Sequence, residues 1–174
     1  MQALAFWKTV VADEAGFLEQ FISLLRDRGI QHCVVGGQAV NAYVEPLVSL
    51  DLDLTVAADQ LEEIEELAGE DLRIERFPHS LILSKAGSDL RVQIQLDPRC
   101  AAFVDRSAPR QVLGLILPVA SLEDVLQGKV WAAMDETRRP SKRQKDFADI
   151  ARLVEAYPNL RQQLPAEVAA RLIV

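Results

Sequence analysis

The chain has 174 residues, a formal charge of -7, 49% apolar residues and 26% charged ones. That length supports one domain, or one domain with a small appendage, around a core of real size. The acidic balance argues against a protein that coats nucleic acid generally, because neutralising phosphates takes an excess of Lys and Arg, although a local basic site stays open. The two cysteines, Cys33 and Cys100, make no disulfide framework and read as small buried hydrophobes in a reducing compartment.

Taken in chain order, MQALAFWKTVVADEAG is too short for a signal peptide and is interrupted by Lys8, Asp13 and Glu14. No apolar run approaches a membrane span, so the expectation is a cytoplasmic protein with no membrane partner. Residues 13–28 place Phe17, Phe21, Leu24 and Leu25 on one helical face, closed by Gly29. QHCVV reads as a buried strand stopped by Gly36-Gly37, and Gln38 to Val44 as a helix opening at the glycines and ended by Pro46. Residues 49–56 alternate, with Ser49, Asp51, Asp53 and Thr55 on one face and Leu50, Leu52, Leu54 and Val56 on the other. An acidic helix is expected over 59–70, then strands LRIERF and SLILSK around a Pro78-His79 turn, then the alternating LRVQIQL. The run 110–119, broken at Gly114, predicts one further strand. Ser121 caps a helix running to Arg139, Pro140 breaks it, KRQKDFADIARLVEAY forms the next, and Pro158 and Pro165 punctuate a helical tail. The predicted organisation is a mixed α/β part over 1–119 and a helical region over 120–174.

Two features carry chemistry. A strand that ends in Gly-Gly and opens a helix lets a substrate approach the backbone, where free N–H groups suit a phosphate. Asp51 and Asp53 lie on one strand face about 7 Å apart along the chain, a spacing at which two carboxylates hold a hard divalent ion that also binds phosphates. Each has a plain alternative: glycine used only for tight packing, and a polar strand face that only meets solvent.

Together, VVGGQAVNAYVEPLVSLDLDLTV resembles the DNA polymerase β-like nucleotidyltransferase superfamily, whose signature is a hydrophobic strand, Gly-[Gly or Ser], a short interval and Asp-h-Asp-h. Thirteen residues, Gln38 to Leu50, fill that interval here. The Gly-Gly-x-Ala-Val form and Ser49 look most like the minimal nucleotidyltransferases, including the group related to abortive-infection toxins. Lys129 in LQGKVWAAMDETRR and Lys145-Asp146 in RQKDFADIARL extend the likeness to about Leu153. The resemblance implies an α+β nucleotidyltransferase fold, a small mixed sheet flanked by helices with a helical C-terminal half. It further implies a nucleoside triphosphate seated at Gly36, Gly37 and Ser49 with help from Lys129 and Lys145, Mg²⁺ or Mn²⁺ on Asp51 and Asp53, and in-line transfer of a nucleoside monophosphate. Small members of the group modify proteins, RNA or small molecules, and the sequence selects no acceptor; a homodimer or a toxin-antitoxin partner protein is compatible with it.

One position departs from the pattern. The superfamily places a third carboxylate on a neighbouring strand, and the matching position in LRVQIQL is Gln93, which can offer a carbonyl oxygen to a metal but takes no proton at neutral pH. Asp89 and Asp97 share that face at greater distance. A second function class therefore stands beside the enzyme: a nucleotide- or partner-binding module with impaired transfer. The basic run 138–145 reads either as an approach to nucleotide or RNA phosphates or as a solvated helix start, and Asp146 as a helix cap or a partner for a lysine. Two histidines without a nearby Cys pair give zinc no support.

Overall fold

The computed structural model describes Asp13, residues 16–67 and residues 72–172. The first helix, α1 (Phe17–Asp27), begins where Asp13 accepts hydrogen bonds from the Phe17 and Leu18 amides at 2.8 and 3.3 Å. It ends before Gly29, whose φ of +66° only glycine adopts without strain. Of the expected face Phe17, Phe21 and Leu25 are buried and Leu24 is partly buried, while Leu18 and Ile22 are buried as well.

Seven strands among the described residues form one mixed sheet in the order β3-β4-β5-β2-β1-β7-β6. They are β1 (His32–Val35), β2 (Asp51–Val56), β3 (Leu72–Phe77), β4 (Ser80–Lys85), β5 (Arg91–Gln95), β6 (Ala108–Val112) and β7 (Leu115–Val119). Helix α2 (Gly36–Asn41) follows β1 directly and is shorter than the expected Gln38–Val44. The acidic segment forms a 3-10 turn at Ala58–Gln60 and a short α3 (Leu61–Glu65), and the end of the expected helix lies outside the described residues.

Two expectations change. The run to Val119 is a hairpin rather than one strand, because Leu113 and Gly114 both take positive φ (54° and 83°), the type I′ turn that matches strand twist. Pro140 opens a helix rather than breaking one: α4 (Leu122–Met134) stops early, and α5 (Pro140–Ala156) starts with Pro140 in its first turn, where a missing N–H costs nothing. A 3-10 helix over Pro98–Arg106 was not foreseen; it buries Phe103, whose ring stacks on Trp131 at 5.9 Å. The tail adds a 3-10 turn at Pro158–Gln163 and α6 (Ala166–Ala169).

One buried cluster joins strand residues such as Val34, Leu52, Leu54, Val92 and Ile94 to Val130 and Ala133 of α4 and Ile150 and Leu153 of α5. The helical C-terminal part thus shares the core of the sheet. Cys33 lies in that core, and burial pushes its thiol up to about 12, so it stays protonated at neutral pH. No described helix is long and apolar enough to cross a membrane.

Candidate active site

The site forms where β1 stops. Gly36 turns the chain from strand into α2 with φ of +64°. A Cβ on it would lie 2.2 Å from Asp53 Oδ2, so only glycine fits there on both counts. At Gly37 a Cβ would meet nothing within 4 Å, and the space over the second glycine is open. The carboxyl of Asp53 therefore lies against the first glycine, beside a gap at the second.

Register sets the rest. Strand β2 runs antiparallel to β1 with Asp53 opposite Val35, and parallel to β5 with Asp51 beside Arg91 and Asp53 beside Gln93. Gln93 thus shares a row with Asp53, where the resemblance expects a third acid. Asp97 is committed elsewhere: hydrogen bonds from Arg99, as short as 2.6 Å, hold its carboxyl below the usual range. Asp89 precedes β5 and is exposed. Among the described residues no three His, Cys, Asp or Glu side chains cluster as a metal set. Ser49 Oγ lies 3.4 Å from both the Asp51 amide and its carbonyl oxygen, and Gln38 Nε2 donates to the Ser49 carbonyl at 3.2 Å, tying the loop before β2 to α2.

The two aspartates differ electrically. Asp51 Oδ1 accepts an ion pair from Arg91 Nη2 at 2.8 Å. The Asp53 carboxyl forms no hydrogen bond or ion pair with another described residue. Burial pushes its carboxyl above the usual range and the Asp51 charge adds to this, while Lys129, Arg138 and Lys145 pull it part of the way back. The Asp53 side chain is partly buried, and no ion pair with a described residue balances its charge. Mg²⁺ characteristically takes one or two carboxylates and fills its shell with water and phosphate oxygens. The donor set of Asp51, Asp53 and the Gln93 amide oxygen fits such an ion.

Lys129 and Lys145 stand behind this face in different ways. Lys129 is buried and pairs with Asp146 at 3.0 Å and Asp149 at 2.7 Å. Burial alone lowers an ammonium, but the Asp149 and Asp146 carboxylates reverse this and hold Lys129 above the usual lysine range. Asp146 also accepts from Arg138, and Asp149 from Arg152, both at 2.8 Å. Arg152 continues to Asn41 at the end of α2 and to the Glu45 carbonyl. In the structure Asp146 is thus a lysine partner rather than a helix cap. Lys145 is exposed on α5 and forms no ion pair with another described residue. Of the basic run, Arg138 is held by Asp146 and Arg143 by the Ala133 carbonyl at 2.9 Å, while Arg139, Lys142 and Lys145 face solvent.

Gly36, Gly37, Ser49, Asp51, Asp53 and Gln93 therefore gather in the middle of the sheet, where the C-terminal end of β1 lies beside β2 and β5, with Lys129 and Lys145 acting on Asp53 through their field. The residue that the sequence left unremarked is Arg91. Its signal was present, since the alternation of LRVQIQL puts it on the Gln93 face, but pairing with Asp51 depends on strand order. The Asn41–Arg152–Asp149 link joins residues more than a hundred positions apart, and no local pattern announces it.

A glycine turn with open space at its second glycine lies beside an Asp-x-Asp strand, and solved nucleotidyltransferases share the fold. The chain is similar to ANT(2'')-Ia in complex with adenylyl-2''-tobramycin (TM-score 0.55, 16% identity, 85% of this chain and 97% of that one). It is also similar to the lincosamide antibiotic adenylyltransferase LnuA, lincomycin-bound (0.53, 15%, 82% and 99%). A third is an antigenic nucleotidyltransferase-like protein from Paracoccidioides brasiliensis (0.54, 15%, 94% and 92%). No curated protein matches the sequence. The model of one family, the nucleotidyl transferase AbiEii toxin of type IV TA systems, matches residues 36–173, and the chain belongs to that family.

Proposed function

We propose that the chain binds a nucleoside triphosphate together with Mg²⁺ or Mn²⁺ and transfers the nucleoside monophosphate to an acceptor hydroxyl. The observation that carries this reading is Asp53, a partly buried carboxyl whose charge no described ion pair balances, packed against Gly36 beside the open space at Gly37. Asp51 and Asp53 would hold the ion, which supplies charge against the phosphates as the oxygen–phosphorus bond forms and pyrophosphate leaves. The backbone at Gly36-Gly37 offers N–H groups to phosphate oxygens, and Ser49 fixes the start of β2 so that both carboxylates point one way. Lys145, exposed and near enough to act on Asp53, adds positive charge for the triphosphate.

Gln93 favours a second reading. It sits in the Asp53 row and cannot accept the proton that the acceptor hydroxyl releases, so in the transfer reading that proton leaves to solvent. The same geometry serves a module that binds nucleotide and metal with transfer impaired and acts through a partner protein. Family membership makes a toxin-antitoxin partner the natural one to seek. An acceptor of protein, RNA or small-molecule class is not distinguished by these residues.

Thermal melting with each nucleoside triphosphate, with and without Mg²⁺ or Mn²⁺, tests the shared premise. Metal-dependent stabilisation should appear in the wild type and vanish in Asp51→Ala and Asp53→Ala; no shift with any nucleotide at millimolar concentration rejects both readings. Release of pyrophosphate and transfer from an α-labelled nucleotide then separate enzyme from binder.

A further inference from the structure

We infer that Arg91 is a resident counter-ion on Asp51 that yields to the divalent cation only when a triphosphate arrives, so that cation and nucleotide enter as a coupled pair. This rests on the reading above and adds what that reading lacks, an order and a mutual dependence.

Three observations carry it. First, Arg91 Nη2 lies 2.8 Å from Asp51 Oδ1, and the two residues share a row in the parallel β2–β5 pairing, so the guanidinium covers a carboxylate the cation needs. Second, that hold is light. The Arg91 side chain is 54% exposed and its one ion pair among the described residues is with Asp51, whereas Arg152 is held by Asp149, Asn41 and the Glu45 carbonyl. Half-exposed single pairs of this kind contribute little. Third, the strand face carries two carboxylates, one guanidinium and the neutral Gln93, a net charge of -1. A three-carboxylate face would attract a divalent ion by itself far more strongly.

A triphosphate changes the balance. It brings its own negative charge to the cation and offers oxygens that the planar guanidinium binds in a forked geometry. Arg91 can then exchange Asp51 for phosphate while the ion takes Asp51. Because each ligand improves the site for the other, the coupling is reciprocal: nucleotide raises cation affinity by the factor by which cation raises nucleotide affinity. The positive groups acting on the neighbouring Asp53 from α4, α5 and the segment between them, Lys129, Lys145 and Arg138, stay in place in both states.

The test is Mn²⁺ binding to the protein followed by the paramagnetic resonance of the free ion, first alone and then with each nucleoside triphosphate, the Mn²⁺–nucleotide complex formed without protein being measured separately and subtracted. Wild type should bind Mn²⁺ weakly alone and at least about tenfold more tightly with nucleotide. In Arg91→Gln, Mn²⁺ alone should bind about three- to tenfold more tightly, since a unit charge and its ion pair are gone, and the nucleotide effect should shrink. Arg91→Lys, which keeps the charge and loses the fork, should fall between. Adding Asp51→Asn to Arg91→Gln should erase the gain, showing that it runs through Asp51. Melting of each variant in the absence of ligand confirms that the fold is retained. A wild type that binds the pair, with free-cation affinity unmoved in Arg91→Gln, overturns this inference alone. A wild type that binds no triphosphate with Mn²⁺ overturns the functional reading with it.

Discussion

Two groups of charges lie a short way apart in this molecule, and they are built on different terms. Between α4 and α5, Lys129 meets Asp146 and Asp149, and each acid also takes an arginine, Arg138 or Arg152. The cations and the acids are buried or partly buried, and each has an opposite charge within 3.0 Å. In the middle of the sheet, Asp53 is partly buried with no such partner, Asp51 is held by one half-exposed arginine, and Gln93 contributes no charge. A charge-paired network of this kind holds parts of a fold together, here α4, α5 and the end of α2 through Arg152 and Asn41. A carboxyl without a paired cation, over a glycine turn, is instead the feature on which the proposed nucleotide site rests. Completeness of pairing, rather than the number of charges, separates structure from function.

That contrast can be broken first on the structural side. Lys129→Met leaves two buried acids short of a partner and should cost about 3–5 kcal/mol in denaturant unfolding, whatever it does to activity. Gly36→Ala comes next: positive φ alone costs about 1–2 kcal/mol, and the added methyl must displace the Asp53 carboxyl, so stability and nucleotide response should fall together. Asp53→Asn should behave oppositely, with stability kept or improved by up to about 1 kcal/mol and metal-dependent nucleotide stabilisation lost.

The same variant has a pH signature. In the metal-free protein Asp53 holds its proton more tightly when folded, so its contribution to stability is lost as pH rises from the ordinary carboxylate value through the raised native one. Asp53→Asn should flatten that slope in melts recorded across the acid range. The smallest structural effect is expected from Gly37→Ala, whose methyl meets nothing and whose helical position favours alanine by at most about 1 kcal/mol. Nucleotide binding should nonetheless weaken, because the methyl enters the space assigned to phosphate.

Much of this was legible in the sequence, because much of it is local. Alternation fixed the faces of β2 and β5, the glycines marked where β1 turns, and Ser121 marked the start of α4, where its Oγ accepts from the Asp124 amide at 3.2 Å. The hairpin at Leu113-Gly114 escaped because leucine seldom takes positive φ, so the pair did not read as a turn. The 3-10 helix at Pro98–Arg106 escaped because its core contribution is a single aromatic, Phe103, and the packing that selects it lies on α4 at Trp131. Among the candidate site residues, which side chains share a strand face was readable and their partnerships were not. Lys129 and Asp146 could be named from sequence, but their mutual contact, and that of Arg91 with Asp51, depend on how distant elements pack.

The most direct test of the central claim is calorimetric titration of the four nucleoside triphosphates with Mg²⁺ into wild type, Asp53→Asn and Gly37→Ala. The account expects at least one nucleotide to bind wild type only with the metal, to lose binding in Asp53→Asn and to bind more weakly in a fully folded Gly37→Ala. Equal binding to wild type and Asp53→Asn would contradict it, and so would binding indifferent to Mg²⁺.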